Sequence, residues 1–428
     1  MIAKHSHLPL IMAASLPFAI AVFFITTFAI ATPLTDEWSV VYNAMIMDAA
    51  PRNARDLLSA IGEMRWHIYT HLLVIPNLIY LALAPLVHFD ARFFMFLTLA
   101  SNALILVCAY SRGLRAAAFF AASVIVFSPA RYMEMMWGFQ FALGLSTSLG
   151  VVGLTLLDAS AGHRHRDRFI AAGAIALLCG SLCSSVAPFA LLATPIILLK
   201  PEYQAVLWKM LAIVLVALIL TIVYTFGLAQ ALAGTFWFAL LISTAVGSLL
   251  LSSPVGLTDF SFNARSAFGL AIFLLNVLFI FRAYRAGELA RLAYGISLIA
   301  YGLFSLAAIG ITRHYLGNWH LQCALPILVG TLWIADKSLD SRSNYSKYKT
   351  AGFIIVSVAA VTGYWNAFAY FGPAYRDYAI SVRTHLLALA DDPLQEKPYP
   401  ATAGWDASPE LVKFLRDSGN PDFRHSSR

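Results

Sequence analysis

Four polar clusters interrupt an otherwise apolar chain, and each carries groups suited to acid–base chemistry or anion binding. The first is Asp36-Glu37-Trp38, directly after the first apolar run. Two adjacent carboxylates at a membrane surface suit a general base or a hard-cation ligand. An acid beside hydrocarbon is costly and usually has a partner or a task. The competing role for Asp36 is to cap the helix that follows it. The second cluster contains Arg65, His67 and His71. His67 and His71 are four residues apart, so a helix would place both on one face, a spacing compatible with a metal site. Zinc needs at least a third ligand. The alternatives are contact with a polar acceptor or phosphate, or interfacial anchoring by Trp66 and Tyr69 with the histidines incidental.

The third cluster runs from Ser128-Pro129 through Glu134 to Trp137-Gly138-Phe139-Gln140. A carboxylate, aromatic faces and an amide together suit a sugar, which stacks its C–H faces and hydrogen-bonds at its hydroxyls. An aromatic belt with one snorkelling acid is the competing explanation. The fourth cluster holds Arg313 and His314. A guanidinium at a membrane mouth presents paired donors to a phosphate, whether of a substrate or of a lipid headgroup.

The elements that must position these residues are transmembrane helices. The chain has 428 residues, 60% hydrophobic and 12% charged, against about 45–50% apolar and about 25% charged in soluble domains. Continuous apolar runs recur from residue 10 to residue 371, without the two-residue alternation of a barrel. The first run, residues 10–31, ends in Ala29-Ile30-Ala31 but exceeds the 7–15 residues typical of a signal peptide core, and reads as an uncleaved first span. The expected fold is all-α, a polytopic bundle of about 11–13 spans, with juxtamembrane helices in a first outer loop over residues 32–71. In that loop Leu57, Leu58 and Ile61 share one face, as in a helix lying in the interface or packed on the bundle. Residues 1–371 form the membrane domain, and residues 372–428 a short extracytoplasmic tail with one helix after Ser408-Pro409-Glu410.

Positive charge sets the orientation. With the N-terminus inside, counting every apolar run as a span puts Arg112, Arg115, Arg164, Arg166, Arg168, Lys200 and Lys209 outside, against the positive-inside tendency. Letting residues 72–87, which carry Pro76 and Pro85, lie in the interface or dip in and return moves all of them inside. The same treatment of residues 234–257 returns Arg282, Arg285 and Arg291 to the cytoplasm. All four polar clusters then face outward. The net charge of +7 belongs to these basic turns, and no nucleic-acid partner is expected. Cys108, Cys179, Cys183 and Cys323 lie within apolar runs and read as small packing residues. No Walker loop, dinucleotide fingerprint or H-E-x-x-H motif is present.

This arrangement resembles the C-type (GT-C) membrane glycosyltransferases, which take sugars from polyprenyl-phosphate carriers. The resemblance rests on Asp36-Glu37 after the first span, the His-containing segment Arg65–His71, the outer acidic turn from Ser128-Pro129 to Glu134, and the late Arg313. It covers nearly the whole chain through short motifs. It implies that Asp36, less readily Glu37, acts as base or metal contact. It assigns the carrier phosphate to Arg313 and, less surely, His314. Arg65, His67, His71, Glu134, Trp137 and Gln140 complete the expected substrate site. Relatives often carry Asp where this chain has Glu134, and a large outer sugar-binding domain is absent. The implied partners are a polyprenyl-phosphate sugar, an envelope glycan or lipid acceptor, and membrane lipid. A divalent metal is optional because the leaving group is a monophosphate. The implied location is the inner membrane, with the C-terminus extracytoplasmic. A transporter or flippase for a lipid-linked sugar is the rival, and a non-catalytic envelope subunit a further one.

Overall fold

The computed structural model describes residues 8–49, 54–68, 71–161, 163–184, 186–197, 200, 244–247, 264–313, 318–338, 345–391 and 408–423. The regular structure among the described residues is helical apart from one two-stranded hairpin. Six helical segments among them are long and apolar enough to cross a membrane: Ala91–Ser111, Ala116–Met135, Gly138–Ser160, Arg265–Arg285, Leu289–Ile309 and Gly352–Ala388. Residues 234–257, expected as a partial span, lie outside the described residues except for 244–247.

The helices are α1 (Leu8–Phe28), α2 (Glu37–Ala49), α3 (Ala54–Glu63), α4 (Val74–Leu83), α5 (Ala91–Ser111), α6 (Ala116–Val126) and the short α7 (Tyr132–Met135). They continue with α8 (Phe141–Ser160), α9 (Arg166–Ser181), α10 (Pro188–Ile197), α11 (Ala264–Arg285), α12 (Leu289–Arg313) and α13 (Leu325–Ser338). The last three are α14 (Tyr345–Asn366), α15 (Gly372–Asp391) and α16 (Pro409–Asp417).

The apolar run over residues 72–87 forms only α4, 10 residues long, and a 3-10 turn at Pro85–Val87. At about 1.5 Å per residue α4 is about 15 Å long, half of the ~30 Å hydrocarbon core. Helix α10 is also only 10 residues long, short of a full crossing. Its hairpin with α9 is held by Ser146, whose hydroxyl donates to Gly180 O (2.9 Å) and accepts from Ala187 N (3.1 Å).

Close approach of α12 and α13 depends on small residues, as is usual where helices meet without a hydrophobic driving force. A Cβ at Gly330 would stand 2.6 Å from Gly295 O. Gly330→Val should therefore force the pair apart and cost about 1–3 kcal/mol. A lowered unfolding temperature in detergent checks this, and an unchanged one would show that the helices can part freely.

One end of the bundle collects the basic turns. Asp158, 1% exposed, pairs with Arg112 and with Lys200 (2.5 Å). Asp336, also 1% exposed, lies 3.7 Å from Arg115 and 3.8 Å from Lys337. Lys337 in turn donates to Gly113 O (2.5 Å), and Arg291 donates to Lys337 O (3.1 Å). Cations from turns far apart in sequence thus meet at one end on two buried aspartates.

The opposite end is capped by the C-terminal segment. Helix α14 passes through a π-helical turn, Ala367–Phe371, into α15. Pro373 has no N–H to return to Ala369, so the regular ladder breaks there. The sequence reading of a tail with one short helix misses α15. A second hydrophobic core lies at this end, joining Trp38, Tyr80, Phe94, Trp137, Tyr375 and Leu415. Helix α16 begins at Pro409, capped by Ser408, whose hydroxyl accepts from Leu411 N (3.4 Å). Its Phe414 meets Phe89 edge-on at 5.2 Å. Asn420 donates to Phe89 O (2.8 Å) and Ala31 O (3.3 Å), fastening the tail to the α1–α2 and α4–α5 connections.

Candidate functional site at the end opposite the basic turns

The first acidic cluster lies between α1 and α2. Leu34 O accepts from Glu37 N (3.1 Å), closing a turn over residues 34–37 directly ahead of α2. Asp36 directly precedes α2, at the cap position that the sequence offers for it, and its carbonyl accepts from Ser39 N (3.1 Å). The backbone that introduces it is strained, because Thr35 is left-handed with φ 48°. Non-glycine residues adopt this conformation at a cost of about 1–3 kcal/mol, and such strain gathers at functional sites.

The two acids occupy different environments. Asp36 is half-buried, whereas Glu37 is fully buried. Glu37 Oε2 accepts from Leu34 N at 2.8 Å, reaching back across the turn that precedes α2. Burial, opposed by that bond and helped by the nearby charges of Asp36 and Asp90, pushes the Glu37 carboxyl up to about 8. The sequence offers Glu37 as a second base; in the structure one of its carboxyl oxygens, Oε2, is taken by the backbone.

Trp137 is 9% exposed and donates its indole N–H to Leu34 O at 3.0 Å. Its ring is packed in the core with Tyr80 and Tyr375. Gly138 packs against the Glu37 carboxyl; a Cβ there would collide with Glu37 Oε1 and stand 2.8 Å from Ala91 O. Tyr375 of α15 donates to Met136 O (3.1 Å) and so fixes the same strand of chain from above. Gln140 is 6% exposed in the 3-10 turn Gly138–Gln140.

Arg65 is held by its own peptide. Asn43 and Asn77 are buried. Asn43 accepts from Arg65 N (2.7 Å), and Asn43 and Asn77 both donate to Arg65 O, at 3.1 and 3.0 Å. The Arg65 guanidinium lies 4.4 Å from the centre of the Tyr42 ring. Beyond it the chain forms an antiparallel hairpin, His67–Ile68 against His71–Leu72, with His67 opposite Leu72 and Ile68 opposite His71. This corrects the helical reading of His67 and His71. Their backbone is extended, so the four-residue spacing does not put them on one helix face. Leu73 N donates to Trp66 O (2.9 Å) and closes the hairpin.

Glu134 lies deeper than the sequence suggests. It and Arg131 are both 0% exposed and paired at 2.6 Å. Arg131 also donates to Gln322 Oε1 and Val126 O. Gln322 Nε2 donates to Asn102 Oδ1 at 2.7 Å. Asn102 is in the middle of α5, about 16 Å from its start at 1.5 Å per residue. The outer-mouth position expected for Glu134 is thus replaced by a place inside the bundle. Arg313 ends α12, and His314 lies outside the described residues. Among the described residues no group of three or more His, Cys, Asp or Glu side chains converges to hold a metal ion.

Sequence reasoning missed Asn43, Asn77 and Tyr375. Asn77 carried a signal, being an amide inside an apolar run, where an amide needs partners. The raised Glu37 carboxyl has a thermodynamic consequence. In the unfolded chain the group ionises near its ordinary 4.5, and in the folded protein near 8. Between those values the folded state binds more protons, so stability falls as pH rises through the window. Unfolding temperature in detergent should drop from pH 5 to pH 9, and Glu37→Gln should flatten that slope. An identical slope in the variant would assign the effect elsewhere.

The fold and site define the chain as a helical protein with six segments, among the described residues, long and apolar enough to cross a membrane, and a tightly built acidic turn at one end. No protein-family model, curated protein or solved structure matches it.

Proposed function

We propose that the chain is a polytopic membrane glycosyltransferase that moves a sugar from a polyprenyl-phosphate carrier to an envelope glycan or lipid, with Asp36 as base. The observation that carries this reading is the contrast between the two acids. Glu37 is fully buried with Oε2 bonded to Leu34 N, while Asp36 is half-buried on a strained, doubly supported turn at the end of the bundle away from the basic turns. Positive turns favour the cytoplasm. On this reading the basic end lies inside and the Asp36 end outside, in an inner-membrane bundle of about 11–13 spans.

The reaction is one in-line displacement. The acceptor oxygen bonds to the anomeric carbon as the bond from that carbon to the carrier phosphate breaks, inverting the centre. The hydroxyl proton passes to the Asp36 carboxylate. The electron pair leaves on the phosphate, where a guanidinium stabilises the developing charge; Arg65 on Tyr42 and Arg313 at the end of α12 are the candidates. A second reading, transport of a lipid-linked sugar, is favoured by the Arg131–Glu134 pair, because ionisable groups inside a helical bundle often mark transport paths.

The test is transfer from radiolabelled polyprenyl-phosphate sugars in membranes carrying the parent or its Asp36→Asn form, with outer-face acceptors supplied. The expected result is product from the parent alone. Equal product from both removes Asp36 from the chemistry, and no product from either favours the transport reading.

A further inference from the structure

We propose that Glu37 and Trp137 are positioning residues for Asp36, gripping the Leu34 peptide from its two sides so that the strained Thr35–Asp36 turn presents one geometry. The grip is complete at the peptide level. Glu37 Oε2 takes the Leu34 N–H at 2.8 Å, and the Trp137 indole gives its N–H to Leu34 O at 3.0 Å. Each clamp is itself immobilised. Glu37 is fully buried against Gly138, where no side chain fits. Trp137 is followed by that glycine and preceded by Met136, whose carbonyl is held by Tyr375. Ala91 N donates to Ala31 O (3.1 Å), so the start of α5 secures the chain just before the turn. A left-handed Thr35 persists only where its surroundings over-determine it, and these contacts are the over-determination.

The arrangement gives the Trp137-Gly138 pair a purpose other than sugar stacking. The indole supplies the donor, and the glycine supplies the space for the carboxyl. Glu37 is neutral through most of the neutral range, being pushed up to about 8. An amide at this position keeps the carbonyl oxygen that accepts from Leu34 and carries no charge, so it matches the resident state.

This inference rests on the transferase reading, and two measurements separate them. The first is transfer kinetics. Glu37→Ala and Trp137→Phe should each lower kcat about 10–100-fold with little change in donor KM, since misplacing a reacting group by about 1 Å costs that much. Glu37→Gln should restore kcat to within about threefold of the parent. If Glu37→Gln is as inactive as Asp36→Asn, Glu37 is itself a catalytic acid and the clamp is wrong. Unchanged kcat in both Glu37→Ala and Trp137→Phe also overturns it. The second measurement needs no activity. A cysteine introduced by Asp36→Cys is labelled with maleimide in intact membranes and quantified by mass spectrometry of the digested protein. Its labelling rate should change when Glu37→Ala or Trp137→Phe is added and return with Glu37→Gln. A rate indifferent to all three overturns the clamp. A shifted rate, where the parent with intact Asp36 transfers no sugar, sustains the clamp and discards the transferase reading.

Discussion

Asp36→Asn should reduce sugar transfer by a factor of about 10²–10⁴, the usual contribution of a positioned base, while leaving the protein folded. Asparagine has the size of aspartate and leaves intact the backbone bond from Ser39 N to the residue-36 carbonyl. The Leu34 peptide keeps both of its side-chain partners, because Glu37 and Trp137 are untouched. What is lost is the ability to accept the acceptor's proton as the new glycosidic bond forms. The defect should fall on kcat and on kcat/KM together, because the interaction removed is made only in the transition state. Donor KM should change little, since the carrier phosphate is assigned to arginine. Initial rates at saturating and limiting donor, in membranes with matched protein levels, provide the check. A variant within a few-fold of the parent would mean that Asp36 serves the turn alone and that the proton goes elsewhere.

How much of this was legible in the sequence differs from residue to residue. Apolar run length marked the long helices, because a span must satisfy its own backbone over the whole hydrocarbon core. The proline-bearing run over residues 72–87 could be singled out for the same reason, and the helix there is the 10-residue α4. The grouping of basic turns followed from charge, and Arg112, Arg115, Lys200, Arg291 and Lys337 do meet at one end. The aspartates that gather them were overlooked, although each stands where an apolar run ends. The acidic turn at Asp36 was also legible, as two acids at the end of a span. The division of labour between Asp36 and Glu37 was not, because it depends on which carboxyl the third cluster covers. Gly138 and Trp137 are about a hundred residues away in the chain, and sequence pattern carries no record of that approach. The same limit explains His67 and His71. Their spacing fits a helix, but the buried amides of Asn43 and Asn77 hold the Arg65 peptide and turn the following residues into a hairpin. Glu134 was misjudged in depth because a Ser-Pro turn reads as an exit from the membrane. Here the chain instead stays beside α5, with its charge matched by Arg131.

That pair sets the second large expectation. Removing one member of a buried ion pair typically costs about 3–5 kcal/mol, whereas replacing both by apolar groups of similar size is often neutral. Arg131 and Glu134 are both 0% exposed, so the rule applies without discount for solvent. The two single replacements should nonetheless fail differently. Glu134→Ala leaves a guanidinium that cannot shed its charge, still joined to Gln322 and Val126 O. Arg131→Met leaves a carboxyl that one proton can neutralise, but it also strips Gln322 Oε1 and Val126 O of a donor. An unfilled buried acceptor costs about 1–3 kcal/mol, so the Arg131 variant is destabilised through several smaller losses rather than one charge. The double variant Arg131→Met with Glu134→Leu should recover part of the loss of Glu134→Ala, because no charge remains inside. It should not reach the parent while Gln322 lacks its partner. Reversible unfolding in mixed micelles would measure the coupling. Additive single effects would mean that water reaches the pair and that its burial in the bundle is incomplete. If the double variant folds and still transfers sugar, the pair is a brace for the segment that carries Trp137 and Gly138. If it folds with its outer turn intact and transfer is lost, the charges inside the bundle take part in moving the substrate, and the transport reading gains the residue it needs.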